Sequence, residues 1–274
     1  MPSLAPSTQH PALSTQHSAP SAQRSAPSTR AELESLLRTR QLDRTLTTAL
    51  PGLPNTDLAS TGIASLDAGV GGGLPRGHIS EVVGPRSSGR TSLTLQMLAA
   101  ATARGELVAL VDALDMFDVE SAAAAGIDLA RLLWVRGHVV SNPGLCRDMN
   151  QRALEQAIRA LALILQAGNF GLVVFDAAEA PADALRRLPF TTWLRLQRMV
   201  EGSQTTCVLV GGETMARSSA GLTLRTGIRD WGLGIRFGQR LFEGLDIQTR
   251  VVRARAHVQE DAAVALTTVA TNCA

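Results

Sequence analysis

Lysine is missing altogether from these 274 residues, and all 26 basic side chains are arginine. Tyrosine is missing too. A bias that runs through the whole chain is the mark of drift in base composition. An arginine where a pattern wants lysine is therefore not, alone, a change of function. Cysteine is scarce. Cys146, Cys207 and Cys273 stand apart without metal-ligand spacing, which excludes a thiolate metal site and leaves inert thiols of a reducing compartment. No apolar run approaches about 18 residues, so no membrane span is expected. A charged n-region followed by an apolar h-region is also lacking, so no secretory signal is expected. These absences predict a cytoplasmic chain without membrane contact.

What remains is rich in apolar side chains, at 45%, enough for one large globular domain with appendages. Residues 1–30 repeat STQH and SAP units. They hold no acidic residue before Glu32 and no apolar period, so a disordered Ser/Pro/Gln-rich tail is expected, with a transit peptide as rival. Residues 31–55 predict a short amphipathic helix carrying Leu33, Leu36, Leu37 and Leu42, then a linker with Pro51, Gly52 and Pro54. That helix packs either on its own core or on another subunit. Residues 56–260 form the expected core and 261–274 a tail.

Within the core, apolar runs of strand length at 78–84, 107–113, 131–137, 170–177 and 206–212 alternate with helical patterns. The helices are expected at 91–103, ending near Gly105; after Asp118, stopping at Gly126; from Asn142-Pro143 to Gly168; and near 190–201. Such alternation implies an α/β fold with a mostly parallel twisted sheet flanked by helices. The last 45 residues alternate side chains between turn residues and predict a C-terminal antiparallel β extension, a meander or hairpin.

The strongest local motif is VVGPRSSGRTSLTLQ, residues 82–96. Strand, glycine loop and helix come in the order of a phosphate-binding P-loop. Its glycines let backbone N–H groups and the helix N-terminus face an anion without help from a side chain. Gly84, Pro85, Arg86, Ser87, Ser88, Gly89, Arg90, Thr91 and Ser92 are the expected nucleotide contacts. Thr91 is placed to hold Mg²⁺, and Asp176, ending LVVFD, to hold the same ion through water. Arg90 departs from the pattern, because a planar guanidinium is larger than the compact lysine charge.

Residues 59–118, from ASTGIASLDAGVGGGLPRGHISEVVGP to ALDMFD, resemble the RecA recombinase core around its nucleotide loop. The likeness continues through AGIDLARLLWV and LVVFD and returns in LDIQTRVVRARA, covering roughly residues 31–258. The segment LRTRQLDRTLT and the degenerate loop are similar to the RecA-related mutagenesis accessory group ImuA, which works with a specialised polymerase cassette in damage tolerance. The resemblance implies a RecA-like P-loop fold, ATP and Mg²⁺ as ligands, single-stranded DNA, self-association into filament-type contacts, and a RecA filament or polymerase subunit as partner. It also places Asp118 beside the nucleotide.

The departures from that family are as telling. The position of the water-activating glutamate is Leu114, with Asp115 one residue out of register. Ser121 stands where a tyrosine stacks on adenine, and Gly212 and Glu213 replace an Asn-Gln pair that senses the terminal phosphate. Compositional drift explains Arg90 but not these three, so a degenerate centre without rapid hydrolysis is expected. From Arg217 to Arg255 eight arginines face three acids. By the resemblance, Arg217, Arg225 and Arg229 lie in one DNA-binding loop, and Arg186 and Arg187 in the other. Guanidinium groups on flexible backbone suit a single strand's phosphates, but aromatic platforms are missing from both segments. Arg253 and Arg255, two apart on a strand and about 7 Å from each other, match positions at a subunit interface. Ordinary edge-strand charge is their alternative reading. Three functions follow: a DNA-repair accessory protein of the SOS and translesion type that binds single-stranded DNA; an active DNA-dependent ATPase of the recombinase class; or a protein-only regulator.

Overall fold

A computed structural model of the chain describes residues 58–137, 147–216, 220–228, 244–254 and 263–269. The predicted tail 1–30, the helix and linker 31–55, the Asn142-Pro143 start, and Arg217, Arg229 and Arg255 lie outside these residues. The chain divides into two compact units, Met1–Gly52 and Leu53–Ala274, and all described residues belong to the second.

Ten strands and six α-helices are described. A small antiparallel pair, β1 (Leu58–Ala59) and β2 (Leu74–Pro75), brackets α1 (Ala64–Gly69). The central elements are β3 (Ile79–Val83), α2 (Arg90–Ala103), β4 (Val108–Asp112), α3 (Val119–Ala124), β5 (Leu132–Arg136) and α4 (Arg147–Ala167). They are followed by β6 (Leu172–Asp176), α5 (Ala182–Arg187), α6 (Phe190–Val200), β7 (Thr206–Gly211), β8 (Ala220–Ile228), β9 (Gly244–Ala254) and β10 (Ala263–Val269). Eight strands make one sheet in the order β10-β9-β8-β3-β7-β6-β4-β5. All pairs from β8 to β5 are parallel, and β9 is antiparallel to both β8 and β10.

Each central strand is apolar on both faces, as a parallel sheet covered by two helical layers requires. Along β4, Ala109 and Val111 face α4 and α6, where Leu154, Ile158, Leu161 and Trp193 fill one core. Val108 and Leu110 face α1, α2 and α3, where Leu66, Leu93, Met97 and Leu98 fill the other. The predicted quartet Leu154, Ile158, Leu161 and Leu165 is buried on one stripe of α4, as the 3.6-residue period dictates.

The opposite end of the sheet from the loop is pinned by a buried charge pair. Arg76 donates to Glu106 at 2.7 Å, with both side chains about 2% exposed. It also donates to the carbonyl oxygen of Gln204 at 2.7 Å, and Arg104 Nε donates to Glu106 at 3.0 Å. These residues precede β3, β4 and β7, so the pair ties the entries of three strands. The TGIASLD lead-in has its own lock. Asp67 accepts from the Thr61 backbone N–H at 2.8 Å, the Thr61 hydroxyl at 2.7 Å and the Ser60 hydroxyl at 2.6 Å.

Two expectations change. Residues 263–269, expected within a C-terminal tail, are strand β10 of the main sheet, paired with β9. The segment 220–228, expected as a flexible Gly/Ser/Thr loop, is strand β8, parallel to β3. Leu222 and Leu224 alternate with polar side chains and are buried, and that period-two pattern outweighs the loop-like composition. The antiparallel extension thus starts from a strand that belongs to the parallel sheet.

Candidate functional site

The loop between β3 and α2 opens at the C-terminal ends of the strands, where α/β sheets place their ligands. Gly84 sits against β8. A Cβ there would lie 2.5 Å from the Thr226 carbonyl oxygen and 2.6 Å from Ser88 Oγ. Gly84 N–H donates to the Gly211 carbonyl oxygen at 3.2 Å. Ser88 is buried, and its hydroxyl meets that of Thr226 at 2.8 Å. Gly89, at φ 85°, is the N-cap of α2, a left-handed position that costs other residues strain, and a Cβ there would overlap the Ile247 side chain of β9. The loop is therefore a main-chain cradle held from behind by β8 and β9.

Arg90 is buried at 6% exposure at the first position of α2. Its guanidinium reaches the Ala178 carbonyl oxygen at 3.5 Å and the Glu179 carboxylate at 3.6 Å. Arg86, exposed on the loop, pairs with the other oxygen of Glu179. Thr91 and Ser92 are exposed on the first turn of α2. Asp176 ends β6 and lies opposite Asp112 in the register of β4 and β6. Its carboxylate accepts from Ala178 N–H at 2.8 Å. Burial pushes the Asp176 carboxyl up to about 6, with Asp112 and Glu179 adding repulsion and the Ala178 N–H and Arg90 opposing it. Asp112 is buried and accepts from Phe117 N–H at 2.7 Å.

The altered positions have structural partners of their own. Leu114 is packed against the α4–α6 core. Asp115, at φ 58°, receives two hydrogen bonds from Arg136, each 2.7 Å, and the Arg136 guanidinium holds its carboxyl below the usual range. Asp118 is the N-cap of α3 and accepts from Ser121 N–H at 2.9 Å. Hydrogen bonds from Ser121 hold the Asp118 carboxyl low. The Asp118 carboxylate thus serves its own helix, and Ser121 completes that cap.

Beside the loop, a cleft of about 730 Å³ runs from Pro85 between α5, α6 and the turn after β7. Leu185, Leu188, Phe190, Trp193 and Met215 make its apolar wall; Arg186, Arg187 and Arg225 bring positive charge, and Glu213 faces them. Arg186 and Glu213 are 3.5 Å apart, both well exposed. Arg187 pairs with Asp183 at 3.4 Å. Two placements correct the sequence reading. Arg186 and Arg187 belong to the last turn of helix α5 rather than to a loop. Arg225 projects, exposed, from β8 opposite Val83. The arginines converge on one cleft even so, because α5 and β8 both reach the loop end of the sheet. Arg253 is exposed on β9 opposite Thr223 and does not line this cleft, and β9 is flanked by β8 and β10, so it is not an edge strand.

Both glycines are required by the close packing behind the loop, where a Cβ would strike Thr226, Ser88 or Ile247, and that packing lets the backbone take the turn a phosphate chain would need. Thr91 and Asp176 are the residues that would hold Mg²⁺. Among the described residues no three His, Cys, Asp or Glu side chains gather as a metal site.

Residues 52–185 match the family RecA N-terminal domain. That stretch is RecA-like. The chain is 38% identical over 127 residues to the RecA protein of Clostridium acetobutylicum, covering 46% of this chain and 32% of that one. The chain is likewise 40% identical over 121 residues to RecA of Clavibacter michiganensis, covering 44% and 30%. The chain spans about a third of the length of these curated relatives. A crystal structure of the RadB recombinase matches 76% of this chain and 94% of its own length, with a TM-score of 0.54 and 20% identity. The α/β architecture is thus that of the RecA and RadB recombinases. The matched RecA-like stretch contains the loop, Leu114, Asp118, Asp176 and Glu179; it ends at residue 185, short of the cleft's arginines.

Three residues that shape the site were not singled out by the sequence. Glu179 looks like a polar turn residue. Glu81, inside an apolar strand, is 1% exposed and accepts from Met215 N–H at 2.6 Å, Ala216 N–H at 2.7 Å and the Thr223 hydroxyl at 3.1 Å, so it positions the turn that carries Glu213. Thr226 braces the loop from 138 residues away in sequence. Only for Glu81 was there a hint: a lone carboxylate in a buried strand demands partners.

Proposed function

We propose that this RecA-like chain is an accessory binding protein of DNA damage tolerance, of the ImuA type. In this reading it associates with single-stranded DNA and with a RecA filament or polymerase subunit, and turns ATP over slowly or not at all. The observation that carries the reading is the state of the β4 end. The position that activates water in recombinases is an apolar side chain packed on the core, and the neighbouring Asp115 is doubly bonded to Arg136. A general acid–base group is worth roughly 100- to 10,000-fold in rate, so a cradle without one binds far better than it reacts. Bound ATP with Mg²⁺ would supply charge and order at the loop; the chain's own part is to cradle phosphates with backbone N–H groups and to offer Thr91 and Asp176 to the ion. Support for DNA association comes from Arg186, Arg187 and Arg225 on one cleft, where guanidinium groups meet an apolar wall that suits bases. Arg253 on β9 is offered as part of a subunit or filament contact.

The test is fluorescence anisotropy with a labelled single-stranded oligonucleotide at low and moderate salt. It compares the full chain with an Arg186→Ala/Arg225→Ala variant, and ATP turnover is measured in the same mixtures. Salt-sensitive binding that weakens in the variant is expected. No binding at low salt would favour the protein-only regulator, and turnover equal to a RecA control would favour the recombinase.

A further inference from the structure

We infer that Glu179 is a built-in competitor for the phosphate loop: its carboxylate sits on the cationic side of the cradle, and an incoming polyphosphate must displace it. This inference rests on the proposed anion-binding role of the loop and adds its regulation. The two cations of the loop, Arg86 and Arg90, converge on the two oxygens of one carboxylate. Arg90 is nine-tenths buried, so its charge requires an anionic neighbour. Glu179 supplies it in place, from the turn that follows β6. The same turn is held by Arg90 through the Ala178 carbonyl oxygen and by Asp176 through Ala178 N–H. It leads directly to Ala180, which lines the arginine-bearing cleft.

The consequence is a switch with two states. With Glu179 on the arginines, one of the two positive charges is offset and the turn is tied down. With a phosphate chain in the cradle, Arg86 and Arg90 turn to the ligand, and the carboxylate is repelled and released. The charge of Glu179 therefore opposes phosphate binding twice, by holding the cations and by repelling the anion. By reciprocity, whatever draws the 177–180 turn away from the loop strengthens anion binding.

Inorganic pyrophosphate is the probe, measured by titration calorimetry on the full chain. Glu179→Gln keeps the side chain's size and removes its charge; it is expected to bind pyrophosphate roughly five- to thirty-fold more tightly than the wild type, the range of a partly buried ion pair. Glu179→Asp, which keeps the charge but withdraws it by one methylene, should fall between the two. Glu201→Gln, a carboxylate exposed at the end of α6, should leave affinity unchanged. Unchanged affinity in Glu179→Gln, with wild-type binding measurable, overturns the competitor while leaving the anion site intact. Absence of binding in every variant overturns both. Equal gains in Glu179→Gln and Glu201→Gln would mean that only the overall charge matters, and would also overturn it.

Discussion

Asp176 gives the sharpest handle on the site, because its environment makes stability depend on pH in a direction opposite to most carboxylates. Its pKa rises from 3.8 to about 6, chiefly through burial at the end of β6 beside Asp112. Between those values the folded chain holds a proton that the unfolded chain has lost, so stability falls as pH rises through that window and levels off above about 7. At about 1.4 kcal/mol per pH unit, the ceiling is about 3 kcal/mol. Asp176 keeps some contact with water, so roughly 1–3 kcal/mol is expected. The perturbation is Asp176→Asn. Its amide oxygen can still accept from Ala178 N–H, and its neutrality matches the protonated acid. Urea melts from pH 4 to 8, without nucleotide or divalent ion, should show variant and wild type equal near pH 4. The variant should become progressively more stable, by that 1–3 kcal/mol, at pH 8. Parallel curves, or a wild type that gains on the variant as pH rises, would refute the account of a carboxyl kept from ionising by the strand end.

Glu81→Leu leaves two buried N–H groups and the Thr223 hydroxyl without their acceptor and should cost roughly 3–5 kcal/mol in a urea melt, with Glu81→Gln costing about half as much. Arg76→Met leaves the buried Glu106 with only the partly exposed Arg104 as partner and should cost roughly 2–4 kcal/mol in a urea melt; pairing it with Glu106→Leu, which frees Arg104 to turn to water, should recover part of the loss. Arg90→Lys alone should leave ATP turnover at background in the presence of single-stranded DNA, because Leu114 remains; rapid turnover by that single variant would refute the reading of the β4 end.

The local plan of this chain is written in short-range patterns. Strand β4 is an unbroken apolar run, α4 repeats Leu154, Ile158, Leu161 and Leu165 at helical spacing, Gly105 and Gly126 follow the ends of α2 and α3, and Gly84 and Gly89 bracket a loop between strand and helix. Such features need only neighbours along the backbone, so periodicity and turn chemistry reveal them, and with them the α/β class and the strand–glycine loop–helix crook. Residue identity also carries the expectation of an altered centre, since Leu114 cannot act on water wherever it lies.

Tertiary structure decided the rest, because the deciding contacts join residues far apart in the chain. Arg90 is 89 positions before Glu179, and no local pattern says that the one neutralises the other. Thr226 and Ile247 brace the loop only once β8 and β9 are added beside β3. Gly, Thr and Arg at 220–228 read as a loop until the sheet buries Leu222 and Leu224. Arg186 and Arg225 become neighbours of one cleft only because α5 and β8 end on the same side of the sheet. Sequence alone determines which groups are available and how the chain is wound near them; the charge each group feels depends on what the folded sheet places within a few ångströms, and that is settled by packing.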